Sequence, residues 1–87
     1  MKTFEELWLE LEHKTKSDDA TSGTNKHVKS GIHEVGKKVV EEAAEAWMAC
    51  EHENKERAAE EISQLIYQTQ CLMLAAELKL EDIYRKL

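Results

Sequence analysis

Eighty-seven residues leave room for one domain at most, taken as 1–87, and a chain this short buries only roughly 60% of the surface its unfolded form exposes, so a lone core is marginal. The formal net charge of −6 argues against nucleic acid as a partner, because proteins that bind a phosphate backbone neutralise it with clustered Lys and Arg, and no such stripe is present. Any phosphate-bearing ligand therefore needs a cation, or a few local lysines, to make its approach favourable.

With no Pro, three Gly and a predominance of Glu, Ala, Lys and Leu, the chain is predicted to be all-α. The first twenty residues are charged and lack an apolar signal core, and the longest apolar run, CLMLAA at 71–76, is far too short to span a bilayer. A cytoplasmic protein with no membrane association is expected. Cys50 and Cys71 lack C-x-x-C or His-spaced partners and read as reduced packing residues.

Thr3-Phe4-Glu5-Glu6 has the form of a capping box and starts a first helix, whose Phe4, Leu7, Trp8 and Leu11 follow at i, i+3, i+4 and i+7. Residues 15–25 carry no apolar periodicity and read as a mobile loop. A second helix, capped by Thr24 or Ser30, runs to about His52. Gly31 and Gly36 fall in its early turns, which points either to a close backbone or ligand approach or, for Gly31, to a late helix start at Ser30. Asn54 is a good N-cap for a third helix over 55–77, and Leu80, Ile83, Tyr84 and Leu87 mark a short fourth. The expected architecture is thus four helices, with the two long ones antiparallel because only a few residues around Asn54 join them.

On a helical wheel, the apolar arc of helix two holds Ile32, Val35, Val39, Ala43, Ala46, Trp47 and Cys50, with Glu42 inside it; Lys38, Glu42 and Glu45 form a row along its edge. Trp8 and Trp47 are expected in the core. Helix three has a main arc of Ile62, Leu65, Ile66, Thr69, Leu72, Met73 and Ala76, and a second strip of Tyr67, Cys71 and Leu74 on its opposite side. A helix apolar on two sides must be covered on two sides, and so short a chain lacks the material, so a homodimer is expected. His33 lies near the Ser30-Gly31 turn, whereas His13, His27 and His52 are expected at the surface.

A Glu-rich stretch in a chain that is 34% charged is ordinarily a solvated helix face. Here Glu42 within an apolar arc needs a partner, and Lys38 alone cannot neutralise Glu41, Glu42, Glu45, Glu60 and Glu61. Carboxylates converging from two antiparallel helices make an oxygen cage of the kind that selects Mg2+, Mn2+ or Ca2+ over zinc, and Mg2+ usually completes its shell with waters and substrate phosphates. The chemistry such a site suggests is hydrolytic.

The run SGIHEVGKKVVEEAAE from Ser30 to Glu45, then EEISQLIYQ from Glu60 to Gln68, and the tail LEDIYRKL from Leu80 to Leu87 resemble the phosphoribosyl-ATP pyrophosphohydrolase family, within the all-α, MazG-like group of nucleotide pyrophosphatases. The group's signature is EExxE followed by ExxD. The resemblance implies that Glu42, Glu45 and Glu61 hold Mg2+, with the final Asp of ExxD replaced by Gln64. As a neutral amide, Gln64 ligates weakly or through water, or Glu41 or Glu60 supplies the missing charge.

The resemblance also implies that Glu41 or Glu45 orients the attacking water. Ser30 and Gly31, eleven residues ahead of the Glu41-Glu42 pair, would contact the substrate, with Lys37, Lys38 and Arg57 offsetting phosphate charge and the 15–29 segment closing over the nucleotide. The implied reaction is hydrolysis of the α-β phosphoanhydride of phosphoribosyl-ATP to phosphoribosyl-AMP and pyrophosphate, in histidine biosynthesis, by a dimer. Two other readings remain: an NTP or dNTP pyrophosphatase of the same architecture, and a non-catalytic helical dimerisation module whose glutamates are surface.

Overall fold

The computed structural model describes residues 1–17 and 21–87 and is all-α, with helices α1 (Phe4–Lys16), α2 (Gly23–Lys29), α3 (Ile32–His52), α4 (Lys55–Ala75) and α5 (Leu80–Tyr84). The capping box forms as expected: the Glu6 amide donates to Thr3 Oγ1 at 3.1 Å and the Thr3 amide to Glu6 Oε1 at 3.0 Å. Acidic residues in the first turn of α1 and basic ones in its last turn suit the helix dipole. Its inner face drops Trp8 and Leu11 into the core.

Only Glu53 and Asn54 separate α3 from α4, so the two 21-residue helices fold back on one another as an antiparallel pair. Asn54 Oδ1 accepts the Arg57 amide at 2.9 Å and fixes the start of α4. Ala46 and Ala49 of α3 are buried, and these small residues let the helices pack closely along their length. The fully buried Gln70 donates from Nε2 to the Phe4 carbonyl at 3.0 Å, tying α4 to the first turn of α1.

The helix count and several boundaries differ from the sequence reading. Instead of a loop at 15–25 running into one long helix, Thr15 and Lys16 close α1 and residues 23–25 open α2; residues 18–20 lie outside the described part. Neither Thr24 nor Ser30 is the N-cap of the long helix. Ser22 caps α2, Ser30 is its C-cap, and α3 starts from Gly31, whose φ of 103° is open only to glycine in practice. Helix α4 ends at Ala75, where Leu78 N bonds Met73 O at 2.8 Å and Glu77 N bonds Leu74 O at 3.1 Å, a Schellman closure with Glu77 in the left-handed region at φ 60°. The fourth expected helix is α5, closed at Tyr84 rather than at Leu87.

The core gathers Leu11, Val28, Val35 and Cys71, with Leu7, Tyr67, Leu72, Leu74 and Ala75 packed against it. The strip Tyr67, Cys71 and Leu74 is therefore the side of α4 that α1 and α2 cover, whereas Ile62 and Ile66 of the larger arc are exposed. Trp47, expected inside, is 66% exposed and donates from Nε1 to Glu51 at 2.7 Å; Ile32, Ala43 and Cys50 of the same arc are exposed as well. Both cysteines are free, and Cys71 alone packs in the core. No helix among the described residues is long and apolar enough to cross a membrane.

Candidate metal centre

Glu42 and Glu45 are three residues apart on α3, so they share one face of that helix, and α4 brings Glu61 against them. One oxygen from each carboxylate lies within 4.8 Å of the others, and all three side chains are half-buried. Glu42 Oε2 is shielded from solvent without any hydrogen-bond partner. Leaving a carboxylate oxygen so placed is costly, and a bound cation would relieve it.

Lys38 does not relieve it: its ammonium pairs with Glu41 at 3.0 Å, one residue away from the atom that needs it. That bond, and the charge of Glu41, raise the Lys38 pKa above its ordinary value. The Glu45 carboxyl is also pushed above the usual carboxylate range, first by its close approach to Glu61 and then by the negative charge of Glu42. Three carboxylates gathered this closely could hold a divalent cation between them, and an all-oxygen donor set suits a hard one.

The other candidate residues stand around this cluster in different states. Glu41 is exposed and held by Lys38; Glu60 is exposed and held by Arg57. Arg57 also reaches Glu61 Oε1 from Nη2 at 2.7 Å and Glu53 at 3.5 Å, so its guanidinium is engaged by carboxylates of the α4 end of the hairpin. Gln64, one turn beyond Glu61, is exposed. Lys37 pairs with Glu34 at 3.1 Å and, being about 100° round the axis from Lys38, lines a separate shallow groove with Ile32, His33, Gly36 and Val40. Ser30 and Gly31 form the turn between α2 and α3, Ser30 exposed and Gly31 half-buried, with Ser30 Oγ donating to the His27 carbonyl.

A cavity of about 640 Å³ between α1 and α2, bordered by His13, Lys14 and Tyr67, includes none of the three acids. Two contacts were not legible in the sequence. His27, expected at the surface, is half-buried with Nε2 2.6 Å from Gln68 Oε1, and Thr24 Oγ1 stands 2.8 Å from the Tyr67 hydroxyl. The only signal was the position of Gln68, seven residues and so about two turns beyond Glu61 on the same face.

A model of the family described as phosphoribosyl-ATP pyrophosphohydrolase matches residues 2–87. A Salinibacter ruber protein named phosphoribosyl-ATP pyrophosphatase is 56% identical over 87 residues, which cover 100% of this chain and of that relative. Relatives of the same name from Streptomyces coelicolor and Streptomyces avermitilis are 58% and 56% identical over 87 residues, covering 99% of this chain and 97% of each. The likeness runs through the carboxylate helices and both flanks, and the chain belongs to the phosphoribosyl-ATP pyrophosphohydrolase family.

Proposed function

We infer that this chain hydrolyses phosphoribosyl-ATP to phosphoribosyl-AMP and pyrophosphate, a hydrolase step of histidine biosynthesis, as its family and the names of its relatives support. The observation that carries the chemistry is the trio Glu42, Glu45 and Glu61 with its unpartnered Oε2. These three residues hold Mg2+, and Gln64 faces the same side one turn on, contributing an amide oxygen directly or through water. When bound, the cation supplies Lewis-acid polarisation of a phosphoryl oxygen and charge neutralisation for the departing pyrophosphate.

The chain's own residues do the rest. Glu45 serves the cation, and Glu41, outside the trio yet adjacent to it, orients the attacking water with Lys38 holding its carboxylate in place. Lys38 also offsets phosphate charge, with Lys37 and Arg57 adding to the field. Ser30 and Gly31 offer a hydroxyl and an open backbone to the substrate. The protein works in the cytoplasm, where its two free cysteines stay reduced, and as a homodimer that covers the exposed apolar residues of α3 and α4.

Purified protein with Mg2+ should release pyrophosphate from phosphoribosyl-ATP and not from ATP, GTP or the dNTPs. Release from the common NTPs in preference to phosphoribosyl-ATP would keep the carboxylate site and reassign the substrate.

A further inference from the structure

Seven residues are too few for a helix to hold itself together in water, so α2 owes its place to what it touches. Val28 anchors it in the core, and two side-chain bonds tie it to consecutive residues of α4: Thr24 to Tyr67 at 2.8 Å, near its start, and His27 Nε2 to Gln68 Oε1 at 2.6 Å, near its end. His27 is held at both of its own ends. Its ring meets Gln68, while its carbonyl accepts both the Ser30 amide, at 3.1 Å, and the Ser30 hydroxyl. Gly31 follows at once, its amide bonded to the Val28 carbonyl at 3.2 Å and its own carbonyl accepting the Val35 amide of α3 at 3.1 Å.

Gln68 is on the same face of α4 as Glu61, roughly 10 Å further along at 1.5 Å per residue. Because α3 runs antiparallel to α4, Lys38 and the Ser30-Gly31 turn lie toward this same end of the carboxylate row. One rigid helix thus carries a carboxylate of the candidate trio and, two turns away, the amide that meets the imidazole of the residue on whose carbonyl Ser30 closes the turn before α3.

We propose that His27 and Gln68 are a positioning pair for substrate binding: their hydrogen bond fixes the Ser30-Gly31 turn at a set distance along α4 from Glu61, and so sets the spacing between the turn's contact with substrate and the cation. This rests on the reading that the turn touches substrate. A contact that serves the ground state and the transition state alike appears in KM, with kcat preserved.

The test uses the full chain with phosphoribosyl-ATP at saturating Mg2+, with Mn2+ affinity by calorimetry and thermal midpoints by circular dichroism alongside. His27→Leu and Gln68→Leu should each raise KM by about fivefold to tenfold, the worth of one such hydrogen bond, with kcat within about twofold and Mn2+ affinity unchanged. The double variant should be no worse than either single one, because the two residues act through one bond. His27→Gln, which restores a donor, should keep KM near wild type. Tyr67→Phe, which loosens the far end of α2, should lower the thermal midpoint and leave KM alone.

Unchanged KM in folded His27→Leu and Gln68→Leu would overturn the assignment. So would additive losses in the double variant, or a KM in Tyr67→Phe as high as in His27→Leu. If the leucine variants do not fold, a raised KM in folded His27→Gln overturns it equally. A wild-type protein inactive on phosphoribosyl-ATP would instead sink the underlying function, which keeps the two failures apart.

Discussion

At Gly31 and Gly36 the same substitution should have opposite effects. A Cβ built at either position meets nothing within 4 Å, so space does not distinguish them. Gly31 has φ 103° and must bend the chain from α2 into α3, whereas Gly36 sits inside α3 with ordinary helical geometry. Gly31→Ala should therefore cost about 1–3 kcal/mol, as strained backbone does, and Gly36→Ala should gain about 0.5–1 kcal/mol from reduced unfolded-state freedom. Urea denaturation of the two variants checks both signs. The sequence raised the question at both glycines and offered a close approach or a helix start as reasons. A helix start is what Gly31 shows, and the wheel had no means of expressing that φ.

The same scale explains what was and was not legible at the candidate site. That the Glu-rich faces of the two long helices meet was readable from helical spacing and a short connection, whereas the choice of Glu42, Glu45 and Glu61 among those acids came from the family resemblance. The partners of Arg57 and Lys38 were not, because a long flexible side chain on a helix can choose among acids three and four residues away. Lys38 takes Glu41 rather than Glu42, and that choice leaves the Glu42 oxygen in need.

Among the elements, capping chemistry marked the starts of α1 and α4, where Thr3 and Asn54 each satisfy a first-turn amide. Helix α2 was not separated from the long helix for a physical reason: its inward face is Thr24, Asn25 and Val28, two polar residues to one apolar, too short and too polar to show a period of its own. The wheel of α4 divided its apolar residues into two strips, yet Leu72 and Met73 of the larger pack inside together with the smaller, while Ile62 and Ile66 stand exposed. A wheel gives angles about one axis and is silent on which neighbour stands at each angle.

That inward strip gives α4 a pH signature. Burial pushes the Tyr67 hydroxyl above its usual 10.0 and the Cys71 thiol above its usual 9.0. A group whose pKa is raised on folding binds its proton more tightly in the folded state. Its contribution is intact below the unfolded pKa and is lost as pH rises through the folded one. Stability should hold from neutrality to about pH 9 and fall above it, and Cys71→Val should blunt the earlier part of that fall. Thermal midpoints across pH 7–11 measure it, and a decline that Cys71→Val leaves unaltered would contradict the assignment.

For the whole molecule, the unsolved quantity in a single chain is apolar surface. Ile32, Val40, Trp47 and Met48 on α3, with Ile62 and Ile66 on α4, stand exposed, and Val40 and Trp47 are 70% and 66% open. The sequence anticipated the excess from the two-sided pattern of α4 but misplaced Trp47, because it assumed that large apolar residues of a short chain are used within that chain. In a homodimer closed over these residues, Trp47→Glu should shift the sedimentation coefficient of the wild-type dimer to that of a monomer at micromolar concentration. A variant that sediments with the wild type would place the interface elsewhere.

The proposal of hydrolysis by a carboxylate-held cation joins all three scales, and one measurement reaches it most directly: pyrophosphate release from phosphoribosyl-ATP as Mg2+ is titrated, in the wild type and in Glu42→Gln. The wild type should be inactive in chelator and saturate with Mg2+. The variant should stay folded, being spared a buried unpartnered charge, and lose activity by at least about a hundredfold, as when a group stabilising the reacting phosphoryl is removed. Full activity in chelator, or a folded Glu42→Gln as active as the wild type, would contradict the account and return the three glutamates to the solvated face of two helices.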